Sequence, residues 1–152
     1  MTTLYFETSA FVKLLVAEAG SRTAMQVWRS GLPVIASGLL FVEAQASLAA
    51  ARRGRRMTGE ALARAKGDLA VLREHVNEVE VSTAVLAQAE ELAEQEALRG
   101  YDAVHLASAL YAATDALVTA DTALIEAAER CGLTVVDARG QERASPHQCS
   151  CS

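Results

Sequence analysis

Aromatic residues are scarce in this 152-residue chain, where Phe, Trp and Tyr together make up 5% of the sequence. This scarcity argues against a surface that binds single-stranded nucleic acid by stacking many bases on aromatic rings. Cysteines are also few and odd in number, and a chain of this length can fold without disulfide bonds. We expect Cys131 to be a small buried residue at a helix end, and we expect no catalytic role for Cys149 and Cys151.

Long hydrophobic segments are missing as well. The most apolar stretch, residues 38–51, contains Glu43 and Gln45 and is too short to cross a bilayer. The first residues carry no basic segment, and Glu7 interrupts their apolar run, so no targeting signal is expected. These features predict a cytoplasmic protein that does not associate with membranes.

Excess positive charge is absent, since the formal net charge is −5. Bulk electrostatic attraction to nucleic acid is therefore not expected. Hydrophobic residues make up 51% and charged residues 22%, which is typical of a globular domain. One segment departs from the overall charge, a basic run made of Arg52, Arg53, Arg55 and Arg56.

Apolar β-rich runs alternate with helical patterns, which predicts βαβ units around a parallel sheet. We expect strands at about residues 4–6, 34–36, 79–81, 116–119 and 134–136. The longer helices are expected at about residues 20–30, 58–75, 83–98, 102–113 and 122–130. Gly100 is expected to end the third of these helices, and Gly132 to end the last. The pattern predicts one domain over residues 1–138, followed by a polar segment over residues 139–152.

Two acidic residues fall where predicted strands end. Glu7 follows the first strand and Asp121 follows the fourth. In parallel α/β sheets, ligands bind beyond the carboxyl ends of the strands, where the strand order reverses. Asp121 has a second interpretation, because Asp is also favoured as the N-terminal cap of a helix. Glu7 is a poor cap, so this explanation does not extend to it.

Two further acids lie in helical patterns. Glu43 falls in the apolar segment LLFVEA, residues 39–44, where a carboxylate is costly to bury unless it is paired or bound to a metal. Asp102 follows Gly100 and could simply complement the dipole at a helix start. We expect His105, in the same helix, to be packed or hydrogen-bonded and not to act as a general base. No G-x-S-x-G motif, P-loop or cysteine beside a base offers competing chemistry.

Four short segments carry these acids in order along the chain. They are YFETSAFVKL (residues 5–14), FVE (41–43), LRGYDAVHLASA (98–109) and LVTAD (117–121). Their order and spacing resemble the PIN-domain family, and within it the VapC-type toxin ribonucleases of toxin–antitoxin pairs. The resemblance covers about residues 2–137. It implies a three-layer α/β/α fold whose five-stranded parallel sheet gathers the four acids at the strand ends.

The resemblance also implies an endoribonuclease that uses Mg²⁺ or Mn²⁺ and leaves a 3′-hydroxyl and a 5′-phosphate. Glu7 and Asp102 would bind the metal directly, and Glu43 and Asp121 would complete the pocket directly or through water. Two hydroxyl residues would support the site by hydrogen bonds, Ser9 and Thr119. Carboxylate oxygens suit Mg²⁺ and Mn²⁺ better than zinc, and crowded carboxylates repel each other unless a cation neutralises them.

One position departs from the family pattern, because the family has Asp where this chain has Glu7. The extra methylene lengthens the side chain by roughly 1.5 Å, and a displacement of ~1 Å can lower a rate about 100-fold. Two interpretations therefore stay open, an active ribonuclease and a catalytically weakened PIN-fold module that binds RNA or a partner protein. A phospho-receiver domain is disfavoured, because it needs a strand-end Lys and both Lys13 and Lys66 fall in predicted helices.

Partners follow from the resemblance too, namely RNA, an antitoxin protein and a second copy of the chain. The predicted helix 58–75 carries more apolar residues than a solvent-exposed helix needs: Leu62, Leu69, Val71 and Leu72. In a homodimer, a groove between two such helices could take an amphipathic antitoxin segment. The basic run at residues 52–56 is either an ordinary solvated helix face or a guide for RNA phosphates, and we expect the second.

Overall fold

A computed structural model describes residues 2–140 and contains a five-stranded sheet. Its strands are β1 (Leu4–Phe6), β2 (Val34–Ser37), β3 (Val76–Val79), β4 (Ala116–Thr119) and β5 (Thr134–Asp137). The strands are parallel and lie in the order β3-β2-β1-β4-β5. The strand order therefore reverses between β1 and β4, which is where sheets of this type bind ligands.

Helices cover both faces of this sheet. They are α1 (Thr8–Phe11), α2 (Ser21–Trp28), α3 (Leu39–Arg53), α4 (Gly59–Arg73), α5 (Thr83–Gln95), α6 (Gly100–Tyr111) and α7 (Thr122–Arg130), with a 3₁₀ turn at Val12–Leu14. Thr58, Ser82 and Asp121 cap α4, α5 and α7, because each side chain accepts a backbone N–H three residues later. Gly132 follows α7 with φ of +78°, as expected for a helix end.

The alternating side chains of β1 divide the core into two layers. Leu4 and Phe6 pack with side chains of the first four helices, whereas Tyr5 packs with side chains of α5, α6 and α7. In β4, Val118 joins the first layer and Leu117 the second. This confirms the predicted three-layer α/β/α fold with a five-stranded parallel sheet.

Two predicted boundaries are wrong. The third strand is Val76–Val79 and not residues 79–81, because it begins soon after α4 ends and pairs in register with β2 from Val34 onward. Gly100 does not end a helix; it begins α6. The preceding helix α5 ends at Gln95, and Ala97 then adopts φ of +51°, a conformation that an alanine rarely takes.

The prediction of surplus apolar surface on α4 is also wrong for three of its four residues. Leu69 is buried, and Leu62 and Leu72 pack against the same core layer. Val71 alone among the four is 57% exposed. Cys131 is partly exposed and not buried, because it lies at the end of α7.

Nothing in residues 2–140 forms a helix with the length and apolar character that a membrane span requires. Strand β5 ends at Asp137, and Ala138 after it is fully buried. The division into a domain at residues 1–138 and a polar segment at 139–152 stays a prediction. Cys149 and Cys151 lie outside the described residues.

Candidate active site

One cavity of about 750 Å³ is lined by all four acids that the sequence singled out. Glu7 follows β1, Glu43 lies in α3, Asp102 lies in the first turn of α6, and Asp121 follows β4. These positions bring residues from both halves of the chain to the carboxyl ends of β1 and β4, where the strand order reverses. Further residues around the cavity include Thr8, Ser9, Lys13, Arg99 and Tyr101.

Glu7 is held by the two hydroxyl residues that the sequence predicted around it. Its side chain is buried, and its Oε2 accepts hydrogen bonds from Thr119 Oγ1 at 2.7 Å and from Ser9 Oγ. Ser9 Oγ also accepts the backbone N–H of Ala120 at 2.8 Å. Thr119 Oγ1 accepts the backbone N–H of Asp121 at 3.1 Å. These bonds fix the ends of β1 and β4 to each other and orient the Glu7 carboxylate.

Asp102 and Asp121 share one counter-charge, the guanidinium of Arg99. Arg99 Nε lies 3.2 Å from Asp102 Oδ2, and Arg99 Nη2 lies 3.4 Å from Asp121 Oδ2. The pKa of Asp102 is nevertheless raised, because burial and the negative charge of Asp121 outweigh the effect of Arg99. The two carboxylates repel each other at the cavity, and a bound cation would relieve that repulsion.

Glu43 has its own hydrogen-bond partners, Thr8 and His105. Its Oε1 accepts hydrogen bonds from Thr8 Oγ1 at 2.8 Å and from His105 Nε2 at 2.5 Å. Burial raises the pKa of Glu43, but the bonds with His105 and Thr8 lower it by more, so it lies below the usual value. His105 is fully buried, and its Nδ1 lies 2.8 Å from the hydroxyl of Tyr5. The prediction of a packed, hydrogen-bonded histidine is confirmed.

The donor set of this cavity suits a hard divalent cation. The four acids supply oxygen ligands, and no thiol from the described part of the chain lines the cavity. In residues 2–140, no three His, Cys, Asp or Glu side chains are grouped closely enough to hold a metal ion. Protein partners contact at least one oxygen of each carboxylate: Ser9 and Thr119 contact Glu7, Arg99 contacts Asp102 and Asp121, and His105 contacts Glu43. The four acids fit such an ion by their oxygen donors and by lining one cavity, and binding it would require their carboxylates to move closer together.

The basic run lies apart from the cavity. Arg52, Arg53, Arg55 and Arg56 are exposed around the end of α3, and none of them lines the cavity with the acids. Glu43 lies near the start of the same helix, roughly 14 Å away from Arg52 at about 1.5 Å per residue. Their role as a guide for RNA stays a prediction.

Several residues at the site were not identified from the sequence. Arg99 and Tyr101 lie just before Asp102 in the segment 98–109; the Arg99 side chain is 80% exposed and Tyr101 as a residue is 67% exposed. Lys13 lines the cavity, where its Nζ donates to the backbone oxygen of Ala19 at 2.6 Å. Proximity to Asp102 in the sequence was an available signal for Arg99 and Tyr101. Lys13 is brought to the cavity by the 3₁₀ turn after α1, which the sequence pattern does not specify.

Comparisons with known proteins agree with this fold. The family model of the PIN domain matches residues 4–130. Ribonuclease VapC45 of Mycobacterium tuberculosis is 40% identical over 141 residues, which cover 91% of this chain and 98% of that protein.

Among solved structures, the Sarcin-Ricin loop cleaving toxin VapC20 of M. tuberculosis matches with a TM-score of 0.67 at 21% identity, over 88% of this chain and 98% of that one. A toxin-antitoxin complex from Klebsiella pneumoniae matches with a TM-score of 0.63 at 20% identity, over 89% and 97%. These two likenesses show the fold. The family model and the 40% identity together show that the chain belongs to the PIN domain family, in its group of VapC ribonucleases.

Proposed function

We propose that this chain is an endoribonuclease that hydrolyses RNA phosphodiester bonds with the help of Mg²⁺ or Mn²⁺. The observation that carries the proposal is the convergence of four acids from distant segments on one cavity at the switch point of the sheet. The 40% identity to Ribonuclease VapC45 supports the same activity. PIN-family nucleases in general depend on a divalent cation.

Each acid has a proposed role at this cation. Glu7 and Asp102 would bind it directly, and Glu43 and Asp121 would complete its surroundings directly or through water. A divalent cation, when bound, lowers the pKa of a water molecule and stabilises negative charge at a phosphate. Ser9 and Thr119 orient the Glu7 carboxylate, because both donate to the same oxygen.

Cleavage of a labelled RNA by the purified chain tests the proposal. We expect hydrolysis with Mn²⁺ or Mg²⁺ and none with a chelator. Asp102→Asn should abolish hydrolysis, because a neutral amide binds a divalent cation weakly. Asp68→Asn is the matched control, since Asp68 is exposed on α4 and does not line the cavity.

Two outcomes would contradict the proposal. Unimpaired cleavage by the Asp102 variant would mean that the acids are not the active site. No cleavage by the wild-type chain with either cation would favour the alternative, a PIN-fold module weakened by Glu7 that acts by binding RNA or a partner protein. RNA binding without cleavage, measured by fluorescence anisotropy, would indicate that such a module acts by binding RNA.

We further propose that the chain works with an antitoxin protein. A chain of similar fold occurs in the toxin-antitoxin complex from Klebsiella pneumoniae. A groove of about 640 Å³ between α3 and α4 suits an amphipathic helix, because Val42 on its wall is 70% exposed. Lys66 and Arg73 line the same groove and favour an acidic partner segment. Homodimer formation stays a prediction, and light scattering at micromolar concentration would test it.

Co-expression with the product of the neighbouring reading frame tests the groove. Val42→Asp should release a bound antitoxin, because it places a charge on the apolar wall. Leu86→Asp is the control, since Leu86 is 43% exposed on α5, on the other face of the sheet. Equal retention by both variants would exclude this groove as the binding surface.

A further inference from the structure

A chain of buried hydrogen bonds leads from the sheet to Glu43. The backbone N–H of Ser37, at the end of β2, donates to the Tyr5 hydroxyl at 3.1 Å. That hydroxyl lies 2.8 Å from His105 Nδ1, and His105 Nε2 lies 2.5 Å from Glu43 Oε1. Tyr5 and His105 are both 0% exposed. This series of hydrogen bonds therefore crosses the core from β2 through β1 and α6 to the Glu43 carboxylate in α3.

The donors in this chain can be assigned from their partners. A carboxylate only accepts hydrogen bonds, so the proton between His105 and Glu43 belongs to Nε2. In a neutral imidazole with its proton on Nε2, Nδ1 is an acceptor, so the Tyr5 hydroxyl donates to Nδ1 while it accepts the Ser37 N–H. Each member thus donates to the next, and in residues 2–140 no buried side-chain polar atom lacks a partner. One orientation of the imidazole satisfies all of these bonds.

The same contacts restrict the position of Glu43. The His105 ring stands edge-on to the Tyr5 ring, with centroids 5.9 Å apart and an interplanar angle of 74°. Glu43 itself is a long side chain that is 27% exposed at the cavity, so without partners it would populate several rotamers. His105 and Thr8 both donate to its Oε1 and select one of these rotamers.

We propose that Tyr5 and His105 are positioning residues that act through Glu43 and set the affinity of the cavity for a divalent cation. This inference rests on the proposed function, in which the four acids hold that cation. Partners that orient metal-binding side chains typically change metal affinity by about 10- to 100-fold when they are removed. A tyrosine and a histidine that served packing alone would not influence the cation.

A calorimetric titration of the full protein with Mn²⁺, without RNA, measures this affinity directly. We expect Tyr5→Phe to weaken Mn²⁺ binding by about tenfold, because the imidazole loses the partner of its Nδ1. His105→Leu should weaken binding more than His105→Gln, since the glutamine amide can still donate to Glu43. Should the Leu variant fail to fold, the Tyr5 variant still decides the question.

Thr114→Val is the matched control. Thr114 is a buried hydroxyl that donates to the backbone oxygen of Ala109 at 2.7 Å, just beyond the end of α6 and away from the cavity. Its loss should lower the melting temperature and leave the Mn²⁺ affinity unchanged. A loss of affinity that follows melting temperature across all variants would overturn the inference.

A double-mutant comparison separates positioning from a general structural effect. Tyr5→Phe should weaken Mn²⁺ binding in the wild-type background and add no loss in a Glu43→Gln background. Equal loss in both backgrounds would overturn the inference, as would unchanged affinity of the Tyr5 variant in the wild-type background. Absence of Mn²⁺ binding by the wild-type chain would instead overturn the proposed function on which it rests.

Discussion

Replacing Glu7 with Asp should raise ribonuclease activity and lower stability at the same time. The substitution draws the carboxylate back toward β1 by roughly 1.5 Å, the length of one C–C bond. The family pattern has Asp at this position, so the shorter carboxylate should lie at the distance from a cation that the family uses. Because a displacement of ~1 Å can cost about 100-fold in rate, the gain can be as large as that factor.

The cost in stability follows from the hydrogen bonds of the longer side chain. Glu7 Oε2 accepts from Thr119 Oγ1 at 2.7 Å. After shortening, this separation grows to roughly 4 Å, which is too long for a hydrogen bond. Hydrogen bonds to charged groups contribute about 1.5–3 kcal/mol each. Two such bonds are lost, from Thr119 and from Ser9, so we expect the free energy of unfolding to fall by about 3 kcal/mol or more.

Two measurements check this prediction on the same preparations. Single-turnover cleavage of a structured RNA gives the rate with each cation, and urea unfolding in the presence of a chelator gives the stability. Mn²⁺ should support the wild-type chain better than Mg²⁺ does, because Mg²⁺ demands nearly ideal octahedral geometry. Glu60→Asp is the control, since Glu60 is exposed at the start of α4.

Equal cleavage rates for the wild-type chain and the Glu7→Asp variant would refute the geometric reasoning. They would mean that Ser9 and Thr119 already hold the longer side chain where the reaction needs it. Unchanged unfolding in the presence of chelator would refute the energetic part, because the two hydroxyl bonds would then contribute nothing net.

Three further predictions concern the surroundings of the cavity. Arg99→Gln should tighten Mn²⁺ binding several-fold at low salt, because Mn²⁺ then no longer displaces a guanidinium from two carboxylates. The gain in affinity should be smaller at high salt. Weaker binding measured by calorimetry would contradict this prediction. Reversing Arg52 and Arg53 to Glu should weaken RNA binding and flatten its salt dependence, and unchanged anisotropy titrations would rule out their role. Tyr101→Ala should weaken the binding of single-stranded RNA, because one base loses its stacking partner. Tyr111→Ala should not weaken it, although Tyr111 is similarly exposed at the far end of α6. Similar losses of affinity in both variants would exclude specific stacking on Tyr101.

Local chemistry explains why much of the fold was predictable. Caps at Thr58, Ser82 and Asp121 use side chains whose preference for helix starts is strong. The first and fourth strands are buried on both faces and therefore form continuous apolar runs in the sequence. Acids directly after such runs could be placed at one edge of the sheet without knowledge of the tertiary contacts.

The features that could not be predicted depend on tertiary packing. Ala97 takes a left-handed conformation between α5 and α6 although its own preference is helical, and α6 begins three residues later at Gly100. The sequence pattern at Leu62 and Leu72 would be the same whether these side chains faced a partner or the core layer of the chain itself. The contact of His105 with Tyr5 joins residues 100 positions apart, so no local pattern reports it.

Asp121 shows that the two interpretations of a single acid need not exclude each other. Its Oδ1 accepts the backbone N–H of Leu124 at 2.9 Å and caps α7, as a helix cap should. Its Oδ2 faces Arg99 in the cavity beside Asp102. Because one oxygen serves the helix and the other the cavity, the cap holds the second oxygen in a fixed direction at the switch point of the sheet. A residue type favoured for a purely structural reason is in this way also held at the proposed cation site.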